Sequence, residues 1–237
     1  MSEADISTTK SPDREPVREI LDTALRVVTD PVNFYRHMPT EGGFVQPLIF
    51  MVAMGVTTGL VQLLLGLIGL GGHVPVAMAL AAPVMAPLMF LIFGFVSAAI
   101  VYVIWLLMGS QRNFETAYRC VAYSSAITPI GAVAGIIPYL GALVIPLWSA
   151  ALMAIASIHV HARKETLSWL VFGALGAILA ITNLSGEIAG RRLASGLGAL
   201  EQQLESGEMT PEQAGQAVGE FLKGLQQTTE PEENSSR

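Results

Sequence analysis

Charged and apolar residues are segregated along this chain rather than interleaved. No Asp, Glu, Lys or Arg occurs between Glu41 and Arg112, between Arg119 and Arg163, or between Glu165 and Glu187. A hydrocarbon core about 30 Å thick is crossed by about 20 apolar residues of helix, so each stretch has room for at least one crossing. Lipid offers backbone N–H and C=O groups no water, which selects helices over open loops and sheets. The pattern predicts an all-α, polytopic membrane helix bundle with five transmembrane helices and amphipathic helices at its N- and C-terminal ends.

Proline and glycine punctuate the deserts. The spans read as 44–70, 87–108, 116–137, 142–158 and 167–184. Pro75, Pro83 and Pro87 divide the long run from Val74 to Met108, so 74–85 reads as a surface or re-entrant piece and Pro87 as the start of the second span. Tyr102 and Trp105, near the end of that span, read as interface anchors. "IIPYLG" (Ile136–Gly141) marks a tight turn between the third and fourth spans. Pro129 and Pro146 lie inside those two spans and are expected to kink them, each removing a backbone hydrogen bond. Gly55 and Gly59, and Gly131 and Gly135, are spaced four apart and allow close helix approach.

The flanks have a different period. Residues 1–16 read as a disordered tail. Val17, Ile20, Leu21, Ala24, Leu25 and Val28 then share one helical face, with Arg18, Glu19, Asp22 and Arg26 on the others. This predicts an amphipathic helix lying on the membrane surface or against the spans. Asp30-Pro31 ends it, and the Asp carboxylate is placed to cap the next short turn. "NFYRHMP" (Asn33–Pro39) suits the headgroup layer. After the spans, Leu193, Leu197, Leu200 and Leu204 keep helical spacing. Thr210, Pro211 and Gln213 resemble a capping box that opens a second helix with Ala214, Val218, Phe221, Leu222 and Leu225 on its apolar face. The chain thus divides into a cytoplasmic tail with an amphipathic helix (1–43), the spans (44–184), and a C-terminal helical hairpin with a polar tail (185–237).

With 52% hydrophobic and only 14% charged residues, against about 25% charged in soluble domains, composition agrees. The net charge of −6 reflects acids in the tails, and no basic block suggests nucleic acid. Cys120 is the only cysteine, which excludes an internal disulfide and a cysteine-based metal site. Five spans put Arg36, Arg112, Arg119, Arg163 and Lys164 on the N-terminal side. Positive charge is retained in the cytoplasm, so the N-terminus is expected inside and the C-terminus outside; Arg191 and Arg192 argue mildly the other way.

The third span carries the densest chemistry. Glu115 and Arg119 are one turn apart and can pair along one face. Tyr123 follows on the same face, then Ser124, Ser125 and Thr128. Two readings compete: an interfacial anchor in which the Arg119 stem snorkels, and a candidate polar cluster of Glu115, Arg119, Tyr123, Ser124 and Thr128 lining a cytoplasmic cavity. Ser124, Ser125 and Thr128 are expected to bond to preceding carbonyls, compensating for the bond lost at Pro129. His159 and His161 are two apart and face different ways, so they read as part of an interfacial loop rather than as metal ligands. No phosphate-binding glycine loop, HExxH or GxSxG is present. No catalytic, cofactor-binding or metal site is expected, and no enzyme.

The stretch from Gly109 to His161 resembles the signature half of the Ypt/Rab-interacting protein (YIP) family in its bacterial form. The resemblance rests on Gly109 and Phe114 before span three and on "VAYSSAITP" with Pro129. It continues through the turn at Pro138 and Gly141, Trp148 in span four, and the His159–His161 loop. "DPVNFYRHMP" is similar to the family's bacterial start, and the likeness covers about residues 30–184. It implies five spans and a cytoplasmic N-terminus in the bacterial inner membrane. It also implies a non-enzymatic protein that organises the bilayer, membrane-protein partners or a second copy of itself. Eukaryotic relatives bind small GTPases; the acidic-Tyr-Gly-Pro motif associated with them is missing here, so a GTPase partner does not carry over. The alternative is a small channel or lipid/solute transporter built on the polar cluster.

Overall fold

The structure is a computed structural model that describes residues 14–70, 76–207 and five positions between 210 and 219. The described residues contain α1 (Arg14–Thr29), α2 (Pro31–His37), α3 (Val45–Leu67), α4 (Val76–Leu107), α5 (Phe114–Ser124), a 3-10 turn (Ser125–Ile127), α6 (Thr128–Ala134), α7 (Leu140–His159) and α8 (Glu165–Glu205). The chain divides into two compact units, the first ending at Leu184 and the second beginning at Ser185.

Among the described residues, 4 helices are long and apolar enough to cross a membrane: Val45–Leu67, Ala77–Leu107, Leu140–His159 and Glu165–Gly196. The segment expected to form one helix over 116–137 instead forms α5, the 3-10 turn and α6. Pro129 sits in the first turn of α6, where its missing N–H breaks no intrahelical bond. It therefore starts a helix rather than kinking one.

Pro83 and Pro87 behave in the opposite way. Both lie inside α4, which runs unbroken for 32 residues, so the division expected at Pro87 is not found. Their packing against α3 explains the tolerance. A Cβ on Gly55 would lie 2.7 Å from Pro87 Cα, and one on Gly59 would lie 2.6 Å from Pro83 Cα. The small face of α3 receives the two proline turns, and apolar surroundings remove the competition from water that breaks such helices in solution.

The core of the first unit gathers Phe50 and Met54 of α3, Val101 and Trp105 of α4, Ala117 and Cys120 of α5, and Leu152 and Ala156 of α7. Val27 of α1 and Tyr35 of α2 belong to the same cluster. Trp105 is 0% exposed, so it is a core residue and not the interface anchor expected; Tyr102 is half-buried, edge-on to Phe114 at 5.7 Å. The capping expected at Asp30 is present, with Asn33 N donating to its carboxylate at 3.3 Å and Pro31 first in α2. Between α6 and α7, Tyr139 takes the left-handed conformation (φ 68°). Gly141 serves close approach instead: a Cβ there would lie 2.8 Å from Gly135 Cα.

α8 continues past the expected end of span five at Leu184 and carries Arg191 on a helix, paired with Glu187 at 2.7 Å. The first amphipathic stretch of the expected hairpin is thus the end of α8. Thr210 and Gln213 form the expected box: Gln213 Oε1 accepts from Thr210 N at 3.0 Å, and Thr210 Oγ1 accepts from Gln213 N at 3.4 Å. The apolar face expected of that second helix (Ala214, Val218, Phe221, Leu222 and Leu225) and residues 1–13, 71–75 and 228–237 lie outside the described residues.

Candidate functional site

The site is built from the first turns of α5. Asn113 caps the helix, its side-chain oxygen accepting from Thr116 N at 3.0 Å and satisfying a donor that the helix leaves free. The Thr116 hydroxyl faces the Thr40 carbonyl at 3.1 Å and Asn113 Oδ1 at 2.9 Å. Glu115 and Arg119 follow at i, i+4, with Arg119 Nε donating to Glu115 Oε1 at 3.1 Å.

Both side chains bind backbone of the α2–α3 connection. Arg119 Nη2 donates to Gly43 O at 2.7 Å and Nη1 to Pro39 O at 3.4 Å, while Glu115 Oε1 accepts from Gly43 N at 2.7 Å. Gly42 and Gly43 have φ of 122° and 81°, angles that glycine adopts without steric cost. A Cβ on Gly42 would lie 3.0 Å from Arg119 Nη2. Arg119 is 1% exposed. It is neither snorkelled nor lining an open space: its donors are used to strap residues 39–43 onto α5.

Tyr123 does not join that pair. Its ring lies between Phe34 at 5.3 Å and Phe50 at 5.2 Å. Nearby, the Tyr35 hydroxyl donates to Cys120 O at 3.2 Å, fixing α2 to α5. The hydroxyls further on brace the helix break. Ser124 bonds Val121 O at 2.7 Å, Ser125 bonds Ala122 O at 2.6 Å and Thr128 bonds Ser125 O at 2.8 Å. Thr128 Oγ1 also meets Thr58 Oγ1 of α3 at 2.9 Å. The expected single cluster is therefore two devices: a charged clamp at Glu115–Arg119 and a hydroxyl-braced turn at 124–128, with aromatic packing between them.

A second polar centre joins the α4–α5 and α7–α8 connections, and sequence spacing gave no signal for it. The His161 ring stacks on Trp105 with centroids 3.7 Å apart, and its Nδ1 pairs with Ser110 Oγ at 2.8 Å. Arg163 donates to Gly109 O at 2.7 Å and Met108 O at 3.1 Å, favourably placed at the negative end of α4. Arg112 Nε donates to Val160 O at 3.2 Å. Burial, with Arg112 and Arg163 nearby, pushes the His161 pKa down to about 3. His161 Nε2 and Trp105 Nε1 are both buried without a hydrogen-bond partner.

The family-pattern positions find separate roles. Gly109 (φ 83°) ends α4 in a Schellman turn, with Ser110 N donating to Trp105 O at 2.8 Å and Gly109 N to Leu106 O at 2.9 Å. Phe114 packs near Phe44 and Tyr102. Pro138 lies in the turn before α7. Trp148 is 41% exposed on α7. Among the described residues, no three His, Cys, Asp or Glu side chains gather as a metal-binding group.

A model of the Yip1 domain matches residues 25–185, about two thirds of the chain. The match begins within α1 and ends beside the boundary between the two compact units. No curated protein and no solved structure matches the chain.

Proposed function

The chain belongs to the Yip1 domain family, and from that premise we propose a non-enzymatic membrane protein that organises the bilayer, membrane-protein partners or further copies of itself. It resides in the bacterial cytoplasmic (inner) membrane with its N-terminus in the cytoplasm and its C-terminus outside. It crosses five times: four unbroken helices, and the segment 114–134 as a broken third crossing.

Two cross-helix contacts support the broken crossing. Arg119 bonds Gly43, just before α3 begins, and Thr128 bonds Thr58 further along α3. From Val45 to Thr58 the helix rises about 20 Å, so the segment descends beside α3 through most of a bilayer core. Charge supports the orientation. Arg36, Arg112, Arg163 and Lys164 lie in or beside connections at one end, whereas residues 68–75 and 135–139 carry no charge.

The observation that carries the scaffold reading is the closure of the clamp: the Arg119 guanidinium and the Glu115 carboxylate are engaged by each other and by the backbone of residues 39 and 43. Solute paths need polar groups that a passing solute can reach. The break at 125–127 favours a second reading, a small channel or lipid/solute transporter, because discontinuous helices line such sites. Liposomes containing purified protein separate the two. We expect ion and small-solute leakage equal to protein-free vesicles, and Arg119→Ala to reduce folded yield. Flux that Arg119→Ala alters at normal folded yield would establish the transporter instead.

A further inference from the structure

α1 has three faces where its sequence suggested two. Taking Val17 as origin and about 100° per residue, Leu21 and Leu25 lie about 40° and 80° round. Ile20 and Val27 lie near 300° and 280°, and Arg18, Asp22 and Arg26 span about 100–180°. The structure treats the two apolar arcs differently. Val27 is 0% exposed, and Ile20, Ala24 and Val28 pack with it into the core. Val17, Leu21 and Leu25 are 58%, 54% and 61% exposed. Up to Arg26 the order round the helix is protein, bare apolar edge, charged edge; Val28, about 20° round at the helix end, is half-buried against the core instead.

The level of α1 is fixed by its neighbours. It packs on α2, α5 and the 3-10 turn. α2 is tied through Tyr35 to Cys120, the residue after the arginine that straps Gly43 just ahead of α3. This ties α2 to the level where the spans begin, and α1 reaches from there to the 3-10 turn, across the boundary of headgroups and hydrocarbon. A helix meeting protein, oil and water in that angular order belongs at such a boundary.

We propose that Val17, Leu21 and Leu25 form an edge inserted into the cytoplasmic leaflet, making α1 a protein-docked interfacial anchor rather than a free surface helix. The occupant of this edge is lipid acyl chain. Arg14, Arg18 and Arg26 balance Glu15, Glu19 and Asp22 in charge, so insertion is driven by apolar area and needs no anionic lipid. The inference rests on the membrane reading above and adds the residues that touch lipid.

The native Cys120 is 0% exposed, so single introduced cysteines can be labelled selectively in the full chain. Leu21→Cys, Leu25→Cys, Asp22→Cys and Arg26→Cys are each given an environment-sensitive fluorophore. The proteins are then reconstituted in phosphatidylcholine vesicles containing lipids spin-labelled high on the acyl chain. Labels at 21 and 25 should be quenched several-fold more by lipid than labels at 22 and 26, which should respond to aqueous iodide. Equal iodide quenching at all four positions overturns the proposal, as does lipid quenching that requires anionic lipid. Shielding of 21 and 25 from both quenchers, with crosslinking between copies, overturns it in favour of a second chain. A label at Ile100→Cys, exposed on α4, reports the membrane reading separately: loss of lipid quenching there rejects the bilayer-spanning bundle itself.

Discussion

Arg119 donates to a carboxylate and two carbonyls while only 1% exposed. Removing one partner of a fully buried pair costs about 3–5 kcal/mol; Glu115 is 20% exposed and keeps the Gly43 N–H, so the lower end of about 3 kcal/mol applies. Arg119→Ala should lower stability in detergent by about that amount in a thermal or denaturant titration. Arg119→Lys should fall between, since one ammonium cannot reproduce the fork. His161 makes a pH prediction. Its pKa is 6.5 when unperturbed and about 3 in the folded protein, so the unfolded chain binds the proton more readily. The stability it contributes is complete above about pH 6.5 and is lost as pH falls toward 3. His161→Asn should flatten the acid side of the melting-temperature profile over that window; an unchanged slope would show that other groups set it. At this scale the Glu115–Arg119 pair was legible, because i, i+4 spacing is local. Its targets were not: Gly43 lies 76 residues from Arg119, and spacing carries no information about such a contact. Ser110 and His161, 51 apart, were missed for the same reason.

The helices follow local rules where water or lipid enforces them and depart where a neighbour intervenes. α7 and α3 lie within a few residues of their expected limits because uninterrupted apolar runs leave few alternatives. α4 ignores Pro83 and Pro87 because Gly55 and Gly59 admit them, a pairing invisible from either helix alone. Substitution of Gly59 by Ile should therefore overpack the α3–α4 contact and cost about 1–3 kcal/mol, read as a lower melting temperature in detergent. The same change at Gly69, where a Cβ meets nothing within 4 Å but φ is 76°, tests strain rather than packing. Thr58→Val removes the hydroxyl contact to Thr128 and should cost only about 0.6 kcal/mol, typical of interhelical hydrogen bonds in membranes. A loss several times larger would mean that the 3-10 turn depends on that contact.

Across the molecule, polarity is arranged by end. The strap at residues 39–43, the Schellman turn at Gly109 and the His161 loop share the end where α3 and α5 begin and α4 and α7 finish, with arginines bonding backbone carbonyls there. The connection at 135–139 has no charge. Long uncharged runs made the all-helical membrane class legible, whereas the breaking of the third segment needed cooperation between Pro129, three hydroxyls and Thr58. The side of the bilayer on which each connection lies therefore tests the account most directly. Gln111→Cys, Tyr139→Cys and Lys164→Cys, all at exposed positions, can be probed in sealed inverted and right-side-out vesicles with a membrane-impermeant thiol reagent. A broken segment that crosses puts 111 and 164 together in the cytoplasm and 139 opposite. Labelling of 111 and 139 from the same side, with 164 on the other, would contradict it.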